Sequence, residues 1–123
     1  MTKYEVLLCI YCYLDKQYLA DKNKGEEYIY YISNLNPYVW VDEGTADPAY
    51  YADYLKICSS FFPNNECSVQ EGLIYAKKYL EQYNIFEHEQ FSYNIDEVIQ
   101  VFSKCTLSEW TDIYALIKSE RNK

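Results

Sequence analysis

The sequence predicts an all-α fold: a single domain over residues 1–123, built as a compact, irregular bundle of about six helices. Three observations carry this. Apolar residues recur at three- and four-residue spacing through most of the chain, the period that places them on one face of a helix. Helix-start signals stand at Asp47-Pro48, at Ser68-Val69-Gln70-Glu71 and at Thr106-Leu107-Ser108-Glu109, where a side chain or a proline suits the unpaired amides of a first turn. With only 3 Gly and 3 Pro, the chain has little material for the tight turns of an all-β fold.

The first helix is expected over residues 3–21, with Tyr4, Leu7, Leu8, Tyr11, Leu14 and Tyr18 on its apolar face. The dense run 6–13 also fits a buried strand, but the helical period continues to Leu19 and favours the helix. Asn23-Lys24-Gly25 reads as a turn, with Gly25 in the left-handed conformation that often follows a helix. A second helix is expected over 26–35, its acids opposing the positive end of the helix dipole and Tyr28, Ile29 and Ile32 facing inward. Tyr38-Val39-Trp40-Val41 then reads as an extended connector whose Trp40 plugs the core edge.

The third helix is expected over 47–62, capped by Asp47 and opened by Pro48. Tyr50, Tyr54, Ile57 and Phe61 form one stripe and Tyr51, Leu55, Cys58 and Phe62 the next. A face that wide predicts the central helix, or one that also meets a partner. Pro63-Asn64-Asn65 is a stop. The fourth helix starts at the Ser68 capping box and is expected to end near Asn84, with Val69, Leu73, Ala76, Leu80 and Tyr83 inward. Residues 85–93 follow as a connector. Asn94 and Glu97 have cap-like spacing ahead of a short fifth helix bearing Ile95, Val98, Ile99 and Phe102. The last helix is expected over 107–120 with Trp110, Ile113, Tyr114 and Ile117 inward, and the polar end 119–123 is expected to fray.

A formal net charge of −8 argues against direct nucleic-acid binding, which needs a basic footprint. It suits a basic partner, or serves solubility alone. Five cysteines cannot all pair within one chain, which fits a reducing cytoplasm. The apolar run 6–14 is too short to span a bilayer and lacks a cleavage site, so neither export nor membrane attachment is expected.

Chemistry-bearing constellations are sparse. Cys9-Ile10-Tyr11-Cys12 has the spacing of a metal or redox pair, but a zinc site needs two more ligands from Cys58, Cys67, Cys105 and His88, none of which forms a second spaced pair. Buried small hydrophobes are the simpler reading. Glu87-His88-Glu89 sets an imidazole beside carboxylates, yet nucleophile elbow and phosphate-binding loop are both missing, so the expectation is a non-enzyme without cofactor or metal. Asp42, Glu43 and Asp47 do not have the spacing of a helix-loop-helix calcium site. They read instead as the rim of a recognition surface made by Trp40, Asp42, Glu43, Asp47, Tyr50, Asp53 and Tyr54, with aromatic anchors inside and charges around them. The plainer alternative is that Asp47 only caps its helix, Asp42 and Glu43 are solvated, and the rings fill the core.

The segments Asp47-Pro48-Ala49-Tyr50-Tyr51-Ala52-Asp53-Tyr54, Glu66-Cys67-Ser68-Val69-Gln70-Glu71-Gly72 and Ala76-Lys77-Lys78-Tyr79-Leu80 resemble small immunity proteins of bacterial toxin systems, including those of contact-dependent growth inhibition. The resemblance covers the central third of the chain. It implies a cytoplasmic toxin inhibitor that binds one cognate protein toxin, often a nuclease with a basic substrate groove, and blocks its active site. No catalytic residue carries over. The competing readings are a metal- or thiol-dependent protein using Cys9 and Cys12, and a self-associating adaptor whose interface is the wide face of the third helix.

Overall fold

The computed structural model describes residues 1–91 and 93–121, the side chains of His88, Gln90 and Phe91 excepted. It is all-α, with six helices among the described residues: α1 (Lys3–Ala20), α2 (Glu26–Leu35), α3 (Pro48–Cys58), α4 (Val69–Phe91), α5 (Asp96–Phe102) and α6 (Leu107–Arg121). The sole pairing of strand type among these residues is an isolated bridge between Thr2 and Glu66. No helix of the described residues is long and apolar enough to cross a membrane.

The centre belongs to α1, and the expectation that the third helix would hold it is corrected. α1 packs against α2, α4, α5 and α6, whereas α3 leans mainly on α4 and α2. Val6, Leu7, Leu8, Cys9 and Ile10 are all buried in succession, so the middle of α1 is enclosed on every side. That explains the dense apolar run, which is the mark of a fully enclosed helix. A Thr2–Glu5 capping box starts the helix, in the same pattern as those at Ser68 and Thr106.

Other boundaries move for identifiable reasons. Gly25 has φ −67° and is the N-cap of α2; its amide donates to Glu97 Oε1 at 2.8 Å, so it joins α2 to α5 instead of making a left-handed turn. α3 ends at Cys58, short of Phe62, where the Ser59 and Ser60 hydroxyls take the carbonyls of Lys56 and Ile57 and compete with the helix ladder. Its buried stripe is Tyr50, Tyr54 and Cys58, and Phe62 beyond its end is buried too. Leu55 is exposed.

α4 runs on to Phe91, through the segment expected to be a connector. Asn84 does not stop it. Its side chain accepts from the Ile95 amide at 2.7 Å and donates to Asp96 Oδ1 at 2.8 Å, so it caps α5 from outside. Asn94 contributes a longer bond to the Asp96 amide, 3.2 Å. The end of α6 stays helical to Arg121, whose guanidinium lies 3.3 Å from Glu43 Oε2 and stacks over the Tyr4 ring.

Tyrosines carry much of the core. Tyr28, Tyr31, Tyr54, Tyr79 and Tyr83 are among the largest fully buried side chains, beside Trp110 and Phe102. Each hydroxyl taken out of water needs a partner. Tyr28 donates to the Leu14 carbonyl at 2.6 Å, Tyr54 to the Lys3 carbonyl, and Tyr31 and Tyr79 share a bond of 2.9 Å. Burial holds the Tyr31 and Tyr79 phenols well above the usual tyrosine range.

The Tyr31–Tyr79 pair gives a direct test. Tyr31→Phe leaves the Tyr79 hydroxyl buried without its partner and is expected to cost about 1–3 kcal/mol in urea unfolding, while the double change Tyr31→Phe, Tyr79→Phe is expected to be closer to the parent than either single change. Additive losses would show that the two hydroxyls do not depend on each other.

Candidate functional site

α2, α3 and the C-terminal half of α4 enclose a cleft of about 850 Å³. Its carboxylates are Glu26 and Glu27 from α2, Asp47 and Asp53 from the start and middle of α3, and Glu87 from α4; its rings are Tyr30, Tyr50, Tyr83, Phe86 and Tyr93. Neither lysine nor arginine is among its described lining residues.

The walls are held by the core. Tyr31 packs edge-on against both Tyr50 and Tyr83, with centroids 5.8 and 5.3 Å away. Tyr50 and Tyr83 lie 5.9 Å apart at 41°. At the far wall Tyr93 meets Tyr30 edge-on and donates to the Glu27 carbonyl at 3.1 Å.

The charges are poorly neutralised. The ion pairs of the described residues are Lys24–Asp21 and Arg121–Glu43, and neither reaches the cleft. Glu87 is only 9 % exposed. Burial pushes its carboxyl up from the ordinary range, Asp53 across the cleft adds to this, and the Tyr83 hydroxyl eases it. Asp53 is likewise raised by burial, with Lys56 acting against the shift and Asp47 with it.

The residues expected to form one recognition surface fall in three places. Asp47, Tyr50 and Asp53 line the cleft. Trp40, Asp42 and Glu43 line a separate depression of about 360 Å³ against α6, with Tyr38, Glu120 and Arg121. Tyr54 is wholly buried, its hydroxyl held by the Lys3 carbonyl, so it has no exposed face to offer a partner. Glu26, Glu27, Tyr83 and Phe86 were not legible as site residues, and Glu87 stood out only as a neighbour of His88, not as a member of this cleft. The signal for Glu87 was its place one helical turn after Tyr83, visible only if α4 is allowed to continue beyond Asn84.

Trp40 does not plug the core. It is 54 % exposed, and its indole N–H donates to the Thr45 carbonyl at 2.8 Å. Tyr38, Val39 and Val41 are exposed beside it. The loop is nonetheless fastened: the Tyr4 hydroxyl reaches the Pro37 and Gly44 carbonyls, and the Ala46 and Asp47 amides donate to Asn36 and Asn34. The Thr45 hydroxyl accepts from the Tyr51 amide, while Asp47 accepts from Ala49 as the expected cap.

The cysteines are all unpaired as thiols. Cys9 is buried and Cys12 half-buried, its sulfur 3.3 Å from the Tyr38 hydroxyl. Burial raises both thiols and pushes Cys58 up to about 12 and Cys105 to about 11. These groups stay protonated at neutral pH, the reverse of an activated thiol. Among the described residues, no group of three or more His, Cys, Asp or Glu converges as a metal site. The His88 imidazole lies outside the described side chains.

No protein-family model, curated protein or solved structure matches this chain. The cleft must therefore be read from its own chemistry.

A carboxyl raised in the folded state contributes stability while protonated, below its unfolded value, and loses it as pH climbs through the raised folded value. Glu87→Gln is thus expected to raise Tm at pH 7 and to leave it nearly unchanged at pH 4, below the ordinary glutamate value of 4.5. A lower Tm at pH 7 in thermal unfolding would mean that the carboxylate is paired in the folded protein.

Proposed function

We propose that the protein is a non-enzymatic, acidic binding protein, most concretely an immunity protein that neutralises a cognate toxin by covering its basic active-site surface. The observation that carries this reading is the cleft between α2, α3 and α4, where carboxylates surround aromatic walls with no lysine or arginine among the described lining residues. Such a site attracts a cationic surface, and its rings supply the desolvated contact that slows release. The fastened, exposed Tyr38, Val39, Trp40 and Val41 offer a second, apolar contact.

The competing readings have less support. Self-association through the wide face of the third helix is disfavoured because Tyr50, Tyr54 and Cys58 on that face are buried within the chain. Thiol chemistry at Cys9 and Cys12 is disfavoured because burial depresses the acidity of both thiols.

Titration against a basic toxin encoded beside this protein is the test. Nanomolar or tighter binding is expected, with an association rate that falls as salt rises. Replacing Asp47, Asp53 and Glu87 together by their amides is expected to weaken it by ~100-fold or more. A basic neighbouring toxin that this protein neither binds nor neutralises would remove the proposal.

A further inference from the structure

Folding does not account for the exposed run Tyr38-Val39-Trp40-Val41. Large apolar side chains commonly stand singly on a protein surface. Here four stand in succession, and Val41 is fully exposed. The bonds that fasten the loop do not require this, because they run to its backbone: the Tyr4 hydroxyl holds the Pro37 and Gly44 carbonyls, and Asn36 and Asn34 accept from its amides.

The two rings of the run are nevertheless fixed. The Trp40 indole N–H is bonded to the Thr45 carbonyl, and the ring lies along Gly44, where a Cβ would stand 3.8 Å from its Cδ1. Tyr38 meets Tyr11 edge-on at 5.9 Å, and its hydroxyl is 3.3 Å from the Cys12 sulfur. About half of each side chain stays open to water. Rings held in this way lose little freedom on binding, and Trp and Tyr are favoured as interface anchors.

Between this run and the end of α6 lies the depression of about 360 Å³, lined also by Asp42, Glu43, Glu120 and Arg121. It has room for side chains but not for a whole helix, whose diameter is about 10–12 Å. Arg121, the cation of its described lining, is taken up by Glu43 and the Tyr4 ring. Asp42 and Glu120 take part in neither ion pair of the described residues.

That surplus of negative charge selects the occupant. A second copy meeting the same face would set these acids against their own kind, in a chain of net charge −8. Membrane surfaces are commonly anionic, and the segments that bind them carry lysine and arginine where this loop carries acids. A basic protein surface is the complement.

We propose that Tyr38, Trp40 and Val41, with the depression behind them, seat an apolar side chain of a protein partner, and that Asp42 and Glu120 meet the lysines or arginines flanking it. This seat rests on the reading above in taking the partner to be a basic protein.

Tryptophan fluorescence provides the test. The chain has 2 Trp, and Trp110 is wholly buried, so quenching by acrylamide reads Trp40. Three blocked peptides are titrated into the intact protein: paired leucines flanked by lysines, the same with glutamate for lysine, and the same with serine for leucine. The lysine–leucine peptide is expected to bind weakly and to shield Trp40 from acrylamide, less so as salt rises, while the other two leave it open. Val41→Ser is expected to weaken that binding about fivefold and Asp42→Asn about threefold. Leu19→Ser and Asp112→Asn, matched changes at exposed positions elsewhere, should leave it unchanged. An unaltered thermal unfolding curve shows that each variant keeps the fold.

No shielding by the lysine–leucine peptide, equal shielding by either of the others, or equal loss in Leu19→Ser would overturn the seat. So would shielding of Trp40 by phosphatidylglycerol vesicles, which points to a membrane, or by dimerisation seen in sedimentation, which points to a second copy. If the neighbouring toxin binds while Trp40 stays open to acrylamide, the seat falls and the proposed function stands. If the peptide binds as expected and the toxin does not, the proposed function falls and the seat stands.

Discussion

The structure depends on finding a partner for every phenol it buries. An aliphatic core is held by contact that is largely indifferent to direction. A tyrosine core is different, because each ring brings a hydroxyl whose desolvation is costly unless it is bonded. The bonds here run between elements: Tyr28 of α2 to the Leu14 carbonyl of α1, Tyr54 of α3 to the Lys3 carbonyl of α1, and Tyr31 of α2 to Tyr79 of α4. Helix carbonyls retain a second lone pair after serving the backbone ladder, and that is what these phenols use. α1 is thus the centre in two senses. It is the most enclosed helix, and its carbonyls at Lys3 and Leu14 receive tyrosines from its neighbours.

The same lattice continues outward to the cleft between α2, α3 and α4. Tyr31 is fully interior, Tyr50 and Tyr83 pack on it as the buried back wall of the cleft, and Tyr30 is exposed in its lining. Because these rings are fixed from behind, a guest does not have to order them, which lowers the entropic cost of binding. The carboxylates have the opposite character. Glu87 is buried with the half-buried Asp53 near it, and ionisation of both is disfavoured. A rigid apolar wall and an electrostatically uncomfortable floor belong together when the missing charge arrives with a partner.

What the sequence disclosed follows from what is local. Caps are local, so the starts at Asp47, Ser68 and Thr106 were legible, as was the all-α class. The Thr2-x-x-Glu5 box was equally local and overlooked. Centrality is not local: the double stripe of α3 looks more like a hub than the continuous run of α1, because periodicity reports how wide an apolar face is and not how many neighbours surround it. Asn84 misled in a similar way. Asparagine favours helix ends by bonding to nearby backbone, but this one bonds to backbone eleven residues on, at Ile95, and leaves its own helix intact. The recognition surface was split because Glu26, Asp53 and Glu87 are far apart in the chain, while Trp40 and Tyr54, close to Asp53, face elsewhere.

Acidity alone does not explain the distribution of charge. Solubility requires only that carboxylates be exposed, and the cheapest places for them are convex surfaces where water screens each one. Glu43 on the loop illustrates the ordinary case, being half-exposed and paired with Arg121. The carboxylate of Glu87 is in the least favourable place for that purpose: concave, buried and opposed by a second acid. A glutamine there would keep the packing and remove the conflict. The arrangement becomes favourable when a cation fills the cleft, since the desolvation already imposed on the acid then strengthens its attraction to the guest.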